Sequence, residues 1–98
     1  MKIRFLRVAQ QELDEAVEYY NQEVPGLGKA FVGEIQAALE RIRHFPHGWH
    51  PLSENIRRCR LRRFPYGLIY ASDNGEIIVI AVAHLHRRPD YWRKRLGA

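Results

Sequence analysis

The stretch Arg57 to Arg63, RRCRLRR, puts five arginines into seven residues and leads directly into Phe64, Pro65 and Tyr66. A guanidinium stays charged and offers a planar fork of donors, so arginines next to aromatic rings suit holding phosphate and stacking on bases. The chemistry this spacing points to is capture of a polyanion, or of an acidic protein partner covering the same surface. A second polar concentration lies further on, where His84 and His86 stand two apart and are followed by Arg87, Arg88 and Tyr91. If the backbone stays extended there, both imidazoles point the same way.

Charge is distributed unevenly around these groups. Met1 to Trp49 carries six Lys and Arg against seven Asp and Glu, whereas His50 to Ala98 carries ten against four. A basic half supports association with nucleic acid or an acidic partner, and its bland counterpart is a solvated face that serves solubility. Cys59, by contrast, alternates with the arginines and reads as a small buried side chain rather than a nucleophile. His44, His47 and His50 recur every three residues, but Pro46 and Gly48 interrupt any helix and no Cys or carboxylate accompanies them. They read as surface histidines, and no metal or other cofactor is expected.

The elements that must position these groups follow from periodicity. Lys2 to Arg7 reads as a short strand. Ala9, Leu13, Ala16, Val17 and Tyr20 fall at helical spacing, with Gln10, Gln11, Glu12, Asp14, Glu15 and Glu18 filling the other face. Val24, Pro25 and Gly26 break that helix, and Leu27, Phe31, Ile35, Ala38, Leu39 and Ile42 continue the same period as a second, antiparallel one. His47 to Asn55 reads as a loop. Arg57 to Phe64, Gly67 to Ser72 and Glu76 to Ala83 read as strands, the last two joined through Asp73, Asn74 and Gly75, a tight-hairpin signal. Ile77 to Ala83 is apolar at every position, as in a central strand covered by helices. Period two in the Arg-rich strand sets Cys59 and Leu61 on one face and Arg58, Arg60 and Arg62 on the other. The sheet is therefore expected to have a helix-covered face and a basic face, with Pro89 to Leu96 forming a short terminal helix.

The 98 residues contain no linker, so residues 1–98 read as one α+β domain, β-α-α-β-β-β, with a helical hairpin packed on a mainly antiparallel sheet. No apolar stretch approaches the ~20 residues that span a bilayer. Met1 to Arg7 lacks the apolar core and cleavage site of a signal peptide, and one cysteine forms no internal disulfide, so a cytoplasmic location without membrane partners is the expectation.

Within that element order, Phe64-Pro65-Tyr66-Gly67-Leu68-Ile69-Tyr70, the Asp73-Asn74-Gly75 turn and His84-Leu85-His86-Arg87-Arg88-Pro89-Asp90-Tyr91-Trp92 resemble the RelE/ParE toxin superfamily along essentially the whole chain. The resemblance implies a toxin of a type II toxin–antitoxin module, held silent by a cognate antitoxin whose flexible segment wraps it. One branch of the superfamily cleaves messenger RNA on the ribosome; the other poisons DNA gyrase. Metal-independent cleavage needs a base for the ribose 2′-hydroxyl, cations for the crowded phosphate and an acid for the leaving oxygen. For that branch His84 and His86, with Arg62, Arg63, Arg87 and Arg88 as cations and Tyr91 as a stacking ring or proton donor, are the candidates. RelE-type ribonucleases commonly carry an arginine directly after the aromatic residue equivalent to Tyr66, and Gly67 stands there instead, so Arg62 or Arg63 would have to compensate from the preceding strand.

The wording of the two segments is closer to ParE-like plasmid-stabilisation toxins. The expectation is therefore a gyrase-directed protein inhibitor rather than an enzyme, with Arg58, Arg60 and Arg62 contacting target or antitoxin. A ribosome-dependent messenger endoribonuclease is the alternative, and a non-toxic basic nucleic-acid-binding module the third. Tyr66, Tyr70 and Trp92 read as packing residues.

Overall fold

The computed structural model describes residues 1–96. In chain order it consists of β1 (Lys2–Phe5), α1 (Arg7–Glu23), α2 (Leu27–His44), β2 (His50–Pro51), β3 (Ile56–Arg60), β4 (Tyr66–Asp73), β5 (Glu76–His84) and a 3-10 turn (Arg93–Leu96). The five strands form one sheet in the order β1-β5-β4-β3-β2. β1 runs parallel to β5, with Lys2 opposite Glu76 and Phe5 opposite Val79, and every other pairing is antiparallel. The α+β hairpin-on-sheet architecture expected from periodicity is the one observed.

The two helices lie on one face of the sheet because their apolar stripes have nowhere else to be buried. Ala9 and Ala16 of α1 and Phe31, Ile35, Ala38 and Ile42 of α2 meet Cys59, Leu68, Tyr70, Ile77, Val79 and Val82 in a single cluster. Asn21 ties the helices together by accepting the Gly28 amide at 2.8 Å. Phe64 and Tyr66 also join this core. Phe64 sits 4.8 Å from Tyr20 and 5.0 Å from Phe31, ring centre to ring centre, and Tyr66 is 5.0 Å from Phe31, all at tilted or edge-on angles that suit aromatic pairs. The β4–β5 turn uses Asn74 and Gly75 at φ 49° and 77°, left-handed values that these two residue types tolerate best and that match the twist of a tight hairpin.

Four expectations are corrected. The Arg-rich strand ends at Arg60, not Phe64, because Leu61 donates to the Tyr66 carbonyl and the chain then turns onto α2, where Glu34 Oε1 accepts the amides of Arg62 and Arg63 at 3.0 Å each. The loop from His47 to Asn55 contains a two-residue strand that pairs with Arg57 and Arg58. The terminal helix shrinks to the 3-10 turn. Most consequentially, the face opposite the helices is not simply basic. Ile69, Ala71, Ile80, Ala81 and Ala83 form a second apolar cluster there, roofed by Trp92, which is 3% exposed. A register shift between Ile69 and Tyr70 leaves Ile80 without a partner on β4, and this bulge turns an extra apolar side chain toward that roof.

Candidate functional site

The end of β5 and the segment after it carry most of the polar chemistry. The strand stops at His84, and the next residues form a turn in which Arg87 donates its amide to the His84 carbonyl at 3.0 Å. The extended run that would have aligned His84 with His86 is thus absent, yet the turn still brings their rings to 5.3 Å. His84 also packs edge-on to Tyr66 at 5.1 Å. The His86 amide donates to His84 Nδ1 at 3.1 Å. A backbone N–H can only donate, so Nδ1 holds the lone pair and the neutral ring carries its proton on Nε2. His84 is thereby set up to donate a hydrogen bond outward from Nε2.

Beside this turn lies a group that periodicity alone did not expose. β1 is four residues long and pairs β5 only up to Val79, so the remaining edge of β5 has backbone groups without a strand partner. Glu12 of α1 takes the place of one neighbour by accepting the Val82 amide on Oε1 at 3.0 Å, and Arg95 takes another by donating to the Ile80 carbonyl at 3.1 Å. The two side chains are themselves joined by a two-pronged pair at 2.7 and 2.8 Å. Tyr91 donates its hydroxyl to Glu12 Oε2 at 3.0 Å, while the Arg87 guanidinium stands 4.0 Å over the Tyr91 ring and 3.9 Å from the same carboxylate. Burial first, and then the charge and hydrogen bond of Glu12, push the Tyr91 phenol up to about 12. The hydrogen bond to Glu12 likewise raises Arg95. Tyr91 is therefore a committed donor inside the fold, with one ring face covered, rather than a free acid or an open stacking platform.

The placement of Glu12 on the polar face of α1 is corrected: it lies three residues after Ala9 and four before Ala16, on the face those alanines bury. Arg95 left no trace of its role in the sequence, because its partner is set by the path of the terminal segment.

The arginines of residues 57–63 do not share one surface. Arg57 reaches back to donate to the Trp49 carbonyl at 2.9 Å. Arg58 and Arg60 face away from the helices as expected, but Arg62, beyond the end of β3, lines a hollow with Arg41, Phe45 and Trp49 at the end of α2. Arg63 lies 5.4 Å from the centre of the Phe64 ring, and both it and Arg62 are exposed. Neither occupies the space over Gly67. That space belongs to Arg58, whose Cγ and Cδ would stand 3.0 and 3.2 Å from a Cβ placed on Gly67. The missing side chain lets the Arg58 stem lie flat across β4. Its head enters a cleft also lined by Ile69, His84, Arg87, Arg88 and Trp92.

Cys59 is buried, and burial pushes its thiol up against the opposing pull of Arg41. Tyr70 is buried too, donates to the Pro46 carbonyl at 2.7 Å and is pushed up to about 12 chiefly by desolvation. Among the described residues no three His, Cys, Asp or Glu side chains are grouped to hold a metal ion. No helix among them is long and apolar enough to cross a membrane.

A helical hairpin on a sheet that ends in a parallel first strand, with a basic turn after the last strand, is the architecture that the RelE/ParE resemblance implies. The family described as ParE toxin of type II toxin-antitoxin system, parDE, matches residues 3–91, and the chain belongs to that family. It is similar to Toxin ParE2 of two Mycobacterium tuberculosis strains, CDC 1551 / Oshkosh and ATCC 25618 / H37Rv. Each is 27% identical over 90 residues, spanning 91% of this chain and 86% of the relative. A chain in the structure titled "Chromosomal ParDE TA system from P. aeruginosa" shares the fold at a TM-score of 0.74 and 18% identity, covering 86% of this chain and 95% of that one.

Proposed function

We propose that this ParE-family toxin arrests growth by poisoning DNA gyrase and is neutralised by a cognate antitoxin. Membership of the ParE family supports the general class. The observation that carries the choice of gyrase over messenger cleavage is Gly67, which stands where RelE-type ribonucleases commonly carry an arginine: neither Arg62 nor Arg63 fills that place, and Tyr91 is committed to Glu12. A metal-independent ribonuclease needs cations on the crowded phosphate as well as an acid and a base. Arg58, Arg60 and Arg88, which have no carboxylate partner among the described residues, are the contact surface for target or antitoxin, and Arg62 belongs to a separate surface at the end of α2.

The ribonuclease reading draws on one feature, the 5.3 Å approach of the His84 and His86 rings beside Arg87 and Arg88. Induced expression in a bacterial host separates the two. Gyrase cleavage complexes with intact messages are expected, and cut messages without DNA damage would replace this reading with the catalytic one. An antitoxin segment with acidic residues is expected to lie along the hairpin and the Arg58–Arg60 face. Arg58→Glu with Arg60→Glu should weaken that complex and change its dependence on salt, and unchanged affinity would remove this face from the interface.

A further inference from the structure

We propose that the cleft beneath the terminal turn is a binding site for a single phosphate dianion, with Arg58 at its base and Arg88 at its mouth. The cleft holds about 130 Å³, room for one phosphate-sized group, and lies between the end of β5 and the segment from Leu85 to Trp92.

Three observations converge on it. First, Arg58 Nε is buried and finds no acceptor among the described residues. That buried Nε–H fixes the guanidinium in place, and an anion in the cleft would act on the outer end of the same guanidinium, whose charge the described residues leave unbalanced. Second, the local charges do not cancel. Arg87 shares Glu12 with Arg95, and Asp90, the one carboxylate among the described residues lining the cleft, lies 3.1 Å from Arg93. Arg58 and Arg88 have no carboxylate within ion-pair distance among the described residues. Two uncompensated guanidinium groups match a doubly charged phosphate, whereas one carboxylate would leave one of them unbalanced. Third, the site is built into the backbone. Gly67 allows the Arg58 stem to cross β4, and His84, whose Nδ1 is held by the His86 amide, lines the same cleft with Nε2–H as its available donor.

The ligand class is a dianionic phosphate, either the free ion or the terminal phosphate of a nucleotide. This lies beyond the toxin reading, and it survives or fails independently of whether gyrase is the target, because it is read on the purified chain alone.

The test follows the side-chain Nε–H resonances of the arginines by NMR as inorganic phosphate is added. Parallel titrations use a 5′-nucleoside monophosphate and acetate, at constant ionic strength. Selective, saturable movement of the Arg58 and Arg88 signals with phosphate is expected, at least tenfold weaker in Arg58→Gln. Lys29→Gln removes the same charge from an exposed position on α2 and should bind as wild type. Gly67→Ala should weaken binding several-fold by shifting the Arg58 stem without removing any charge. Tighter binding of the monophosphate would identify a nucleotide as the source, and equal binding would identify the free ion. Acetate binding as strongly as phosphate would overturn the dianion assignment in favour of an acidic side chain. Equal movement of all arginine signals, or equal losses in Arg58→Gln and Lys29→Gln, would overturn the site itself.

Discussion

Two groups of arginines sit on either side of the same terminal turn, and the fold treats them differently. Arg95 and, at longer range, Arg87 are neutralised by Glu12, which also completes the open edge of β5. Arg58 and Arg88, along with Arg60 on the same face of the sheet, have no such partner among the described residues. A count of basic residues therefore overstates the surface available to a ligand. Some of that charge serves to fasten the C-terminal segment to α1, and the rest is left without a carboxylate among the described residues.

The sharpest way to break this comparison is to remove Glu12. Its side chain is 12% exposed and that of Arg95 15%, so Glu12→Ala strands a nearly buried guanidinium, the Val82 amide and the Tyr91 hydroxyl together. Chemical denaturation should show a loss of about 3 kcal/mol. A loss below about 0.5 kcal/mol, the level of an ordinary surface change, would mean the latch contributes nothing.

Glu34→Ala should cost less, about 1–2 kcal/mol, since it frees two amides at the surface loop rather than a buried ion pair. Glu34→Gln, which keeps an acceptor oxygen, should retain part of that stability in the same denaturation series.

Tyr91→Phe removes one hydrogen bond and should cost about 1 kcal/mol near neutral pH. The same variant tests the phenol's titration. Because the folded value is raised from 10 to about 12, the unfolded chain releases this proton first. The Tyr91 contribution is complete below pH 10 and is lost as pH rises towards about 12. Stability measured between those limits should fall less steeply in Tyr91→Phe than in wild type, the residual slope including Tyr70, which is raised in the same way.

At the small end, Arg60→Ala should change stability by no more than about 0.5 kcal/mol, because the side chain is exposed and unpaired. A loss as large as that of Glu12→Ala would erase the distinction between the two groups.

Much of the fold was legible in the sequence wherever a period ran unbroken. The two helices, the Asn74–Gly75 hairpin and the apolar β5 all follow from patterns within ten or so neighbouring residues. The Arg-rich strand was misjudged because period two holds only while the ladder continues, and the acceptor that ends it, Glu34, lies 28 residues upstream of Arg62. The candidate site was less legible for the same reason. The types at His84, His86, Arg87 and Arg88 drew notice, but the role of Tyr91 depends on Glu12, 79 residues away. Gly67, a missing cation by residue type, is the gap across which the stem of Arg58 lies. Phe64 and Tyr66, within the segment that most resembled the toxin superfamily, are largely a packing motif, which explains why that wording marks the fold more firmly than the target.

The most direct test is growth arrest after induction of Arg58→Ala with Arg60→Ala, scored beside wild type and with the unfolding midpoint of the purified variant as a check on folding. The division of the arginines predicts that arrest is lost while the variant still unfolds cooperatively as a folded domain. Full arrest by that variant would contradict it, and would move the working surface elsewhere, to the hollow at the end of α2 that holds Arg62.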